Sequence, residues 1–365
     1  MSLKSKNIMF LAPRIHPNQL DLLNNLNQSC NLIFMSVKNP GNNKYSIKNY
    51  EKHISSSILN RLNFFKDFPI YSTYFVPNIF YFIKKILSFS PDSIIVRNSS
   101  PNICVAILFI IKPFLKFNLI YYSQTPIFKK KISKNLYKDF ILSFFDKRIS
   151  PVLCKPFLTN YREKYSKENI EYIPFAKNIS LTSSKVVTNP ITILCVGKYE
   201  KRKNLEIVIN SVIELNKLGN TVILNVIGIA DTKKRIIFRN NLIKKFDYNF
   251  IKFKSNIPHQ QMKEYYLNSD IFILVSENET ASVSQLEAMS YGIPVIISKD
   301  NGTASYCKDS GFIISPKKNE IKNSLIKLIN NDKQYMQLSA NAIKTVNDSH
   351  NVKLITEKFL CLGEK

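Results

Sequence analysis

The sequence predicts an α/β protein of two doubly wound domains facing each other across a cleft, and three observations carry that prediction. Short runs rich in Ile, Leu and Val recur along the chain with helix-length stretches between them. A stretch rich in Ser, Thr and Asn, NISLTSSKVVTNP at 178–190, lacks a sustained apolar period and divides those runs into two series, as a linker would. Residues 270–298 read as one complete strand-helix-strand unit, the building block of a parallel sheet.

The first series of expected strands is NIMFLA (7–12), NLIFMSV (31–37), SIIVR (93–97) and NLIYYS (118–123). The second is ITILCVG (191–197), VILNVIG (222–228), IKFKS (251–255), DIFILVS (270–276) and PVIIS (294–298). At 365 residues and 45% hydrophobic composition the chain can fill two separate cores. The expected domains are 1–177 and 191–345, with 346–365 as a C-terminal helix packing back on the first. In DIFILVS the apolar residues are continuous, which describes a strand buried on both faces. Ser282 with Gln285 three residues later has the capping-box pattern, and Val283, Leu286 and Met289 follow at helical spacing. Gly292 and Pro294 close that helix. Its N-terminus therefore lies at the carboxyl end of a parallel strand, where α/β sheets bind ligands.

Two carboxylates flank that N-terminus. Glu279 is expected in the loop before it, and Glu287 five residues beyond the cap, about 7 Å along the helix axis. A diphosphate seated on the exposed amides between them would have a carboxylate on either side. Taken alone, the spacing also describes a solvated loop residue and an ordinary surface helix residue. A second loop, between a strand ending at Gly197 and a helix starting near Asn204, carries Lys198, Lys201, Arg202 and Lys203. Basic side chains at the carboxyl end of a strand suit a phosphate, or else form a solvated turn in a lysine-rich chain. Both loops leave the same edge of one sheet, and that coincidence favours a ligand.

Composition excludes several classes. Six cysteines with no CxxC pair and four histidines without ligand spacing indicate neither a disulfide framework nor a metal site, so a reducing cytosol is expected. The N-terminal apolar run is too short for a signal peptide, and the longest run, ICVAILFII (103–111), stops at Lys112-Pro113, well short of a membrane span of about 20 residues. No P-loop, GxGxxG motif or nucleic-acid recognition motif occurs. The net charge of +26 is uneven: residues 1–177 hold 26 Lys and Arg against 9 Asp and Glu, the remainder 26 against 17. In the first half the charges interleave with aromatic residues, as in YFVPNIFYFIKKILSF, a pattern suited to anionic lipid. An A/T-rich coding background would produce the same abundance of Lys, Asn and Ile.

From about 191 to 315, the order VGKYEKRKNLEIVINSV, LNVIGIAD, IPHQQMKEYYLNSDIFILVSENETASVSQLEAMSYGIPVIISKDNGTASY and SGFIIS resembles the nucleotide-sugar-binding domain of retaining glycosyltransferases of family four. The resemblance includes that family's E-x7-E signature at Glu279 and Glu287, the EAM…GIPV run, and a phosphate-binding basic pair at Lys198 and Lys203. The first half is similar only loosely; IEYIPFA (170–176) looks like the segment before the interdomain hinge. Three departures stand out. Lys198 replaces the usual Arg, so a bidentate phosphate contact becomes a point charge. Thr280 and Ser282 stand where glycines are common, and APRIHPNQ replaces a glycine-rich N-terminal loop.

The resemblance implies a GT-B fold, with an acceptor-binding first domain and a donor-binding second. It implies transfer of a sugar from a nucleoside diphosphate to a hydroxyl of a glycan or lipid-linked glycan, with retention and without a bound metal or other cofactor. Lys198, Arg202 and Lys203 with Ser282 and Val283 would hold the diphosphate, Glu279 the sugar, Glu287 the ribose, and Asn256 and Ile257 of KSNIP the base. Glu279, Lys203 and Lys198 would be the catalytic groups, while Arg14 and His16 are the acceptor-side candidates. Assembly of a bacterial surface polysaccharide (lipopolysaccharide, O-antigen or capsule) at the inner face of the cytoplasmic membrane fits that setting. The alternatives are a non-catalytic nucleotide-sugar- or polysaccharide-binding protein and a nucleic-acid-binding protein; slow donor hydrolysis would separate the enzyme from both.

Overall fold

The structure is a computed structural model describing residues 6–12, 17–36, 50–52, 79–97, 103–124, 126–130, 136–153, 165–167, 170–180 and 183–362. The chain forms two units. One takes in Met1–Pro151, Lys164–Ala176 and Val352–Lys365, the other Val152–Glu163 and Lys177–Asn351.

The first unit runs β1 (Asn7–Ala12), α1 (Leu20–Ser29), β2 (Asn31–Ser36), β3 (Tyr50–Lys52), α2 (Ile79–Phe89), β4 (Ser93–Arg97), α3 (Ile103–Ile111), β5 (Asn118–Tyr122), β6 (Phe128–Lys130), α4 (Leu136–Ser143), β7 (Lys147–Ser150), β8 (Tyr165–Lys167) and β9 (Glu171–Tyr172). Seven parallel strands form its sheet in the order β3-β2-β1-β4-β5-β7-β9, while β6 and β8 pair antiparallel by themselves.

The second unit runs β10 (Ile191–Lys198), α5 (Leu205–Lys217), β11 (Val222–Ile229), α6 (Lys233–Lys245), β12 (Ile251–Ser255), α7 (Met262–Leu267), β13 (Ile271–Leu274), α8 (Val283–Ser290), β14 (Val295–Ser298), β15 (Gly311–Ile314), α9 (Lys318–Ile329) and α10 (Asp332–Thr345). Its six strands are parallel in the order β12-β11-β10-β13-β14-β15. The last helix, α11 (Val352–Cys361), belongs to the first unit.

Alternation along β1 shows why its sequence is continuously apolar. Ile8 and Phe10 face Leu22, Leu23 and Leu26 of α1 together with Ile355 and Phe359 of α11. Met9 and Leu11 face the other way, onto Phe82 and Ile86 of α2, Leu108 of α3 and Leu142 of α4. A strand covered by helices on both faces has no polar side to alternate with. ICVAILFII becomes α3, a helix of nine residues; among the described residues no helix is long and apolar enough to cross a membrane. Cys30, Cys104, Cys195, Cys307 and Cys361 are free thiols, and burial pushes the Cys195 pKa up to about 12.

The described residues of the stretch 178–190, read from sequence as a linker, fall within the second unit and are hydrogen-bonded to the rest of it. The Lys185 amide donates to Ser339 Oγ at 2.7 Å, and its Nζ donates to the α7 carbonyl of Leu267 at 2.8 Å. The buried Asp270 carboxylate accepts from Thr188 Oγ at 2.8 Å and from the Thr192 amide at 2.7 Å. Lys185 and Thr188, two of the polar residues that interrupt the apolar period here, make these bonds.

Candidate functional site

In the second sheet the strand order reverses between β10 and β13. The loops leaving the carboxyl ends of two such strands open a crevice between them, and this is where doubly wound sheets hold ligands. Here those loops are 199–204 and 275–282.

After β10 the chain makes a 3₁₀ turn, Lys201–Lys203, and enters α5 through Asn204 at φ 53°. Asn tolerates this left-handed conformation, and its side-chain amide donates to the Val275 carbonyl at 3.0 Å, joining the two loops. The Lys203 side chain folds back against Gly197, where a Cβ would lie 3.2 Å from its Cε. Lys203 is 5% exposed and its Nζ pairs with Glu279 Oε2, to which Arg202 Nη1 also donates at 3.1 Å.

Glu279 is itself held by its backbone. Its amide donates to the Asp300 carbonyl at 3.1 Å and its carbonyl accepts from the Gly302 amide at 2.9 Å. Gly302 permits that approach, since a Cβ there would sit 2.3 Å from the Thr280 carbonyl oxygen. Ser282 caps α8, accepting from the Gln285 amide at 3.3 Å, but the capping box is only half formed. The Gln285 side chain is buried and accepts from Asn301 Nδ2 at 3.4 Å instead of reaching back to the cap. The Ser282 amide donates to Thr303 Oγ at 2.8 Å and is engaged within the protein. What remains at this N-terminus are the amides of Val283 and Ser284, which have no partner inside the helix; both residues are part-exposed.

Glu287 lies further along α8 with its carboxylate anchored on three sides. His259 Nε2 is 2.8 Å from Oε1, Tyr266 Oη donates to Oε2 at 2.7 Å, and Lys177 Nζ stands 4.0 Å from Oε1. Burial alone would raise its pKa, but His259, Lys177 and Tyr266 outweigh burial and hold the carboxyl below its ordinary value. Burial, then the neighbouring Glu287 charge, pushes the Tyr266 hydroxyl well up, so it stays a proton donor. Neither glutamate is a solvated surface residue, because each is 8% exposed.

The other expected residues fall differently. Lys198 is exposed at the end of β10, near the Asp231 carboxyl that Arg235 chiefly holds down. Asn256 adopts φ 56°, and its side chain accepts from the Ala230 amide at 2.9 Å and donates to the Ala230 carbonyl at 3.3 Å, stapling the end of β12 to that of β11. Ile257 beside it is half-buried. Arg14 and His16 lie outside the described residues. Sequence reading did not single out Lys177, His259 or Tyr266. His259 and Tyr266 are seven residues apart, two helical turns, a spacing that puts both on one side of the α7 segment. Among the described residues no group of three or more His, Cys, Asp or Glu could hold a metal ion.

Comparison with known proteins bears on the fold and on the second unit's family. Residues 178–345 match the family described as Glycosyl transferases group 1, so the chain contains a domain of that family. Sulfoquinovosyl transferase SQD2 of Arabidopsis thaliana is 22% identical over 127 residues, which are 33% of this chain and 25% of that protein. An uncharacterised glycosyltransferase of Haemophilus influenzae is 23% identical over 209 residues, 55% of this chain and 57% of that one. The matched stretches thus leave much of both relatives uncovered. Among solved structures, a glycosyltransferase from Rickettsia africae superposes with a TM-score of 0.71 at 16% identity, covering 99% of this chain and 98% of that one. HepE of Anabaena, in complex with UDP-glucose, does so with a TM-score of 0.70 at 12% identity, covering 98% of each. The fold is GT-B, with two Rossmann-like domains.

Proposed function

We propose that the protein is a retaining glycosyltransferase of the hexosyl-transferring kind, moving a sugar from a nucleoside-diphosphate sugar to a hydroxyl of a glycan or lipid-linked glycan, in bacterial surface polysaccharide assembly. The observation that carries this reading is the buried Lys203–Glu279 pair with Arg202, Glu279 standing in the loop that leads into α8, whose first residues Val283 and Ser284 are part-exposed. Lys203, Arg202 and Lys198 with the amides of those two residues would bind the diphosphate, and Glu279 the sugar. Glu287 would take the ribose. An ionised carboxylate has about four acceptor positions, and His259 and Tyr266 leave room for ribose hydroxyls. Ile257 and the loop stapled by Asn256 would border the base. As the glycosidic C–O bond breaks, its electron pair passes to the β-phosphate oxygen, and the cations neutralise the growing charge. The acceptor hydroxyl bonds to the anomeric carbon on the same face and gives its proton to that departing oxygen.

A thermal-shift panel of UDP, GDP and ADP sugars tests the reading. One of them at 100 times its dissociation constant should add about 2.7 kcal/mol of stability. UDP sugars come first, since a structural neighbour holds UDP-glucose. No shift with any member would overturn the proposal, and a shift with neither hydrolysis nor transfer would favour a non-catalytic binder.

The first unit is proposed to lie on the inner face of the cytoplasmic membrane through α2, α3 and α4, which pack on one face of its sheet. These helices and the turn after α3 expose Phe80 at 88%, Phe114 at 83%, Ile110 at 68% and Phe140 at 62%, with Lys84 exposed on α2. Each basic residue near an anionic surface contributes about 1 kcal/mol. The protein should sediment with anionic vesicles at low salt and be released as salt rises; equal recovery with neutral vesicles would sink the idea.

A further inference from the structure

The site continues into a chain of alternating charges. Arg202 donates through Nη1 to Glu279 at 3.1 Å and through Nε to Glu200 Oε2 at 2.9 Å. The other Glu200 oxygen, Oε1, accepts from Arg235 Nε at 3.0 Å and also pairs with Arg235 Nη2. Arg235 pairs in turn with Asp231, one turn earlier in the chain. The series from Asp231 through Arg235, Glu200, Arg202 and Glu279 to Lys203 therefore joins the N-terminus of α6 to the cluster between the β10 and β13 loops.

The division of labour within this series is geometric. Glu200 takes Arg202 by its Nε, while Nη1 donates to Glu279. Two Arg235 nitrogens on one oxygen hold Glu200, and planar guanidinium groups make that contact directional. The Arg202 carbonyl also accepts from the Glu277 amide at 2.7 Å, which fixes the backbone from which the side chain reaches. We propose that Glu200 and Arg235 are positioning residues, holding the Arg202 guanidinium at the angle at which it meets Glu279 and an incoming diphosphate. The proposal rests on the donor-binding reading above. It adds that the strength of anion binding at this site is set partly from α6.

The test is calorimetry of UDP, GDP and ADP binding to full-length protein, for wild type, Glu200→Gln, Arg235→Gln, Arg202→Ala and the Glu200→Gln/Arg202→Ala double variant, with thermal denaturation of each. Glu200→Gln and Arg235→Gln should each weaken binding roughly tenfold, the scale of one misdirected charge-assisted hydrogen bond. Arg202→Ala should weaken it at least as much. The double variant should be no weaker than Arg202→Ala, because Glu200 acts through Arg202. Arg235→Lys, which keeps the charge, should recover part of the loss. Lys245→Ala, which breaks the exposed pair of Lys245 with Glu206, should change nothing. Two outcomes overturn the proposal: Glu200→Gln binding within twofold of wild type, or a double variant whose loss is the product of the two single losses. Wild-type protein that binds none of the three nucleotides would defeat the donor-binding reading itself, which distinguishes the two failures.

Discussion

Lys203→Ala is expected to lower turnover with the true donor by about 100-fold to 1,000-fold, the usual cost of losing one contact to charge that grows in the transition state. Glu279→Ala should lower kcat more than it weakens donor binding, since the carboxylate would lie beside the sugar as positive charge develops there. The structure adds a complication to both. The pair is buried, at 7% and 11% side-chain exposure, and removing one partner of a buried pair costs about 3–5 kcal/mol. Lys203→Ala leaves Glu279 with Arg202, so its stability loss should lie at the low end. Glu279→Ala leaves the buried Lys203 ammonium without its carboxylate, so its loss should be the larger. The double variant should regain much of the stability and none of the turnover. Steady-state kinetics with urea denaturation on the three variants separates the effects. Wild-type turnover in both single variants would place the chemistry elsewhere.

Glu287→Gln is expected to raise KM for the donor with a smaller effect on kcat, because ribose contacts are the same in the ground and transition states. It should also change how stability depends on pH. The Glu287 carboxyl titrates below its ordinary value of 4.5 in the folded protein, despite burial, because His259, Lys177 and Tyr266 favour the charged form. A carboxylate depressed on folding contributes stability that is fully present above its unfolded pKa and is lost as pH falls through the folded one. Wild-type stability should therefore decline below about pH 4.5 more steeply than that of Glu287→Gln, measured by urea denaturation from pH 3 to 7. Identical acid limbs would show that the three partners do not hold this carboxylate, and an unchanged KM would show that it does not touch the donor.

The α/β class, the parallel order of elements and the position of α8 were determined by the sequence itself. Those features depend on local period and capping: continuous apolar runs such as DIFILVS make buried strands, and Ser282 starts a helix by bonding the Gln285 amide. β3, β6, β8 and β9 span two or three residues each, too short to leave a period in the sequence. The spacing of Glu279 and Glu287 marked the two carboxylates, yet it described a solvated pair equally well. Burial decided between these, and burial depends on what packs against α8 from distant parts of the chain. Tyr266, His259 and Lys177 reach Glu287 from 21, 28 and 110 residues away, and Arg202 reaches Glu279 from 77. Three of the loops around the site pass through an asparagine at positive φ: Asn204, Asn256 and Asn278. In a chain so rich in asparagine nothing local distinguishes those three. Their conformation follows from where each strand ends and from which neighbouring backbone its loop must meet, and the assembled sheet alone sets those relations.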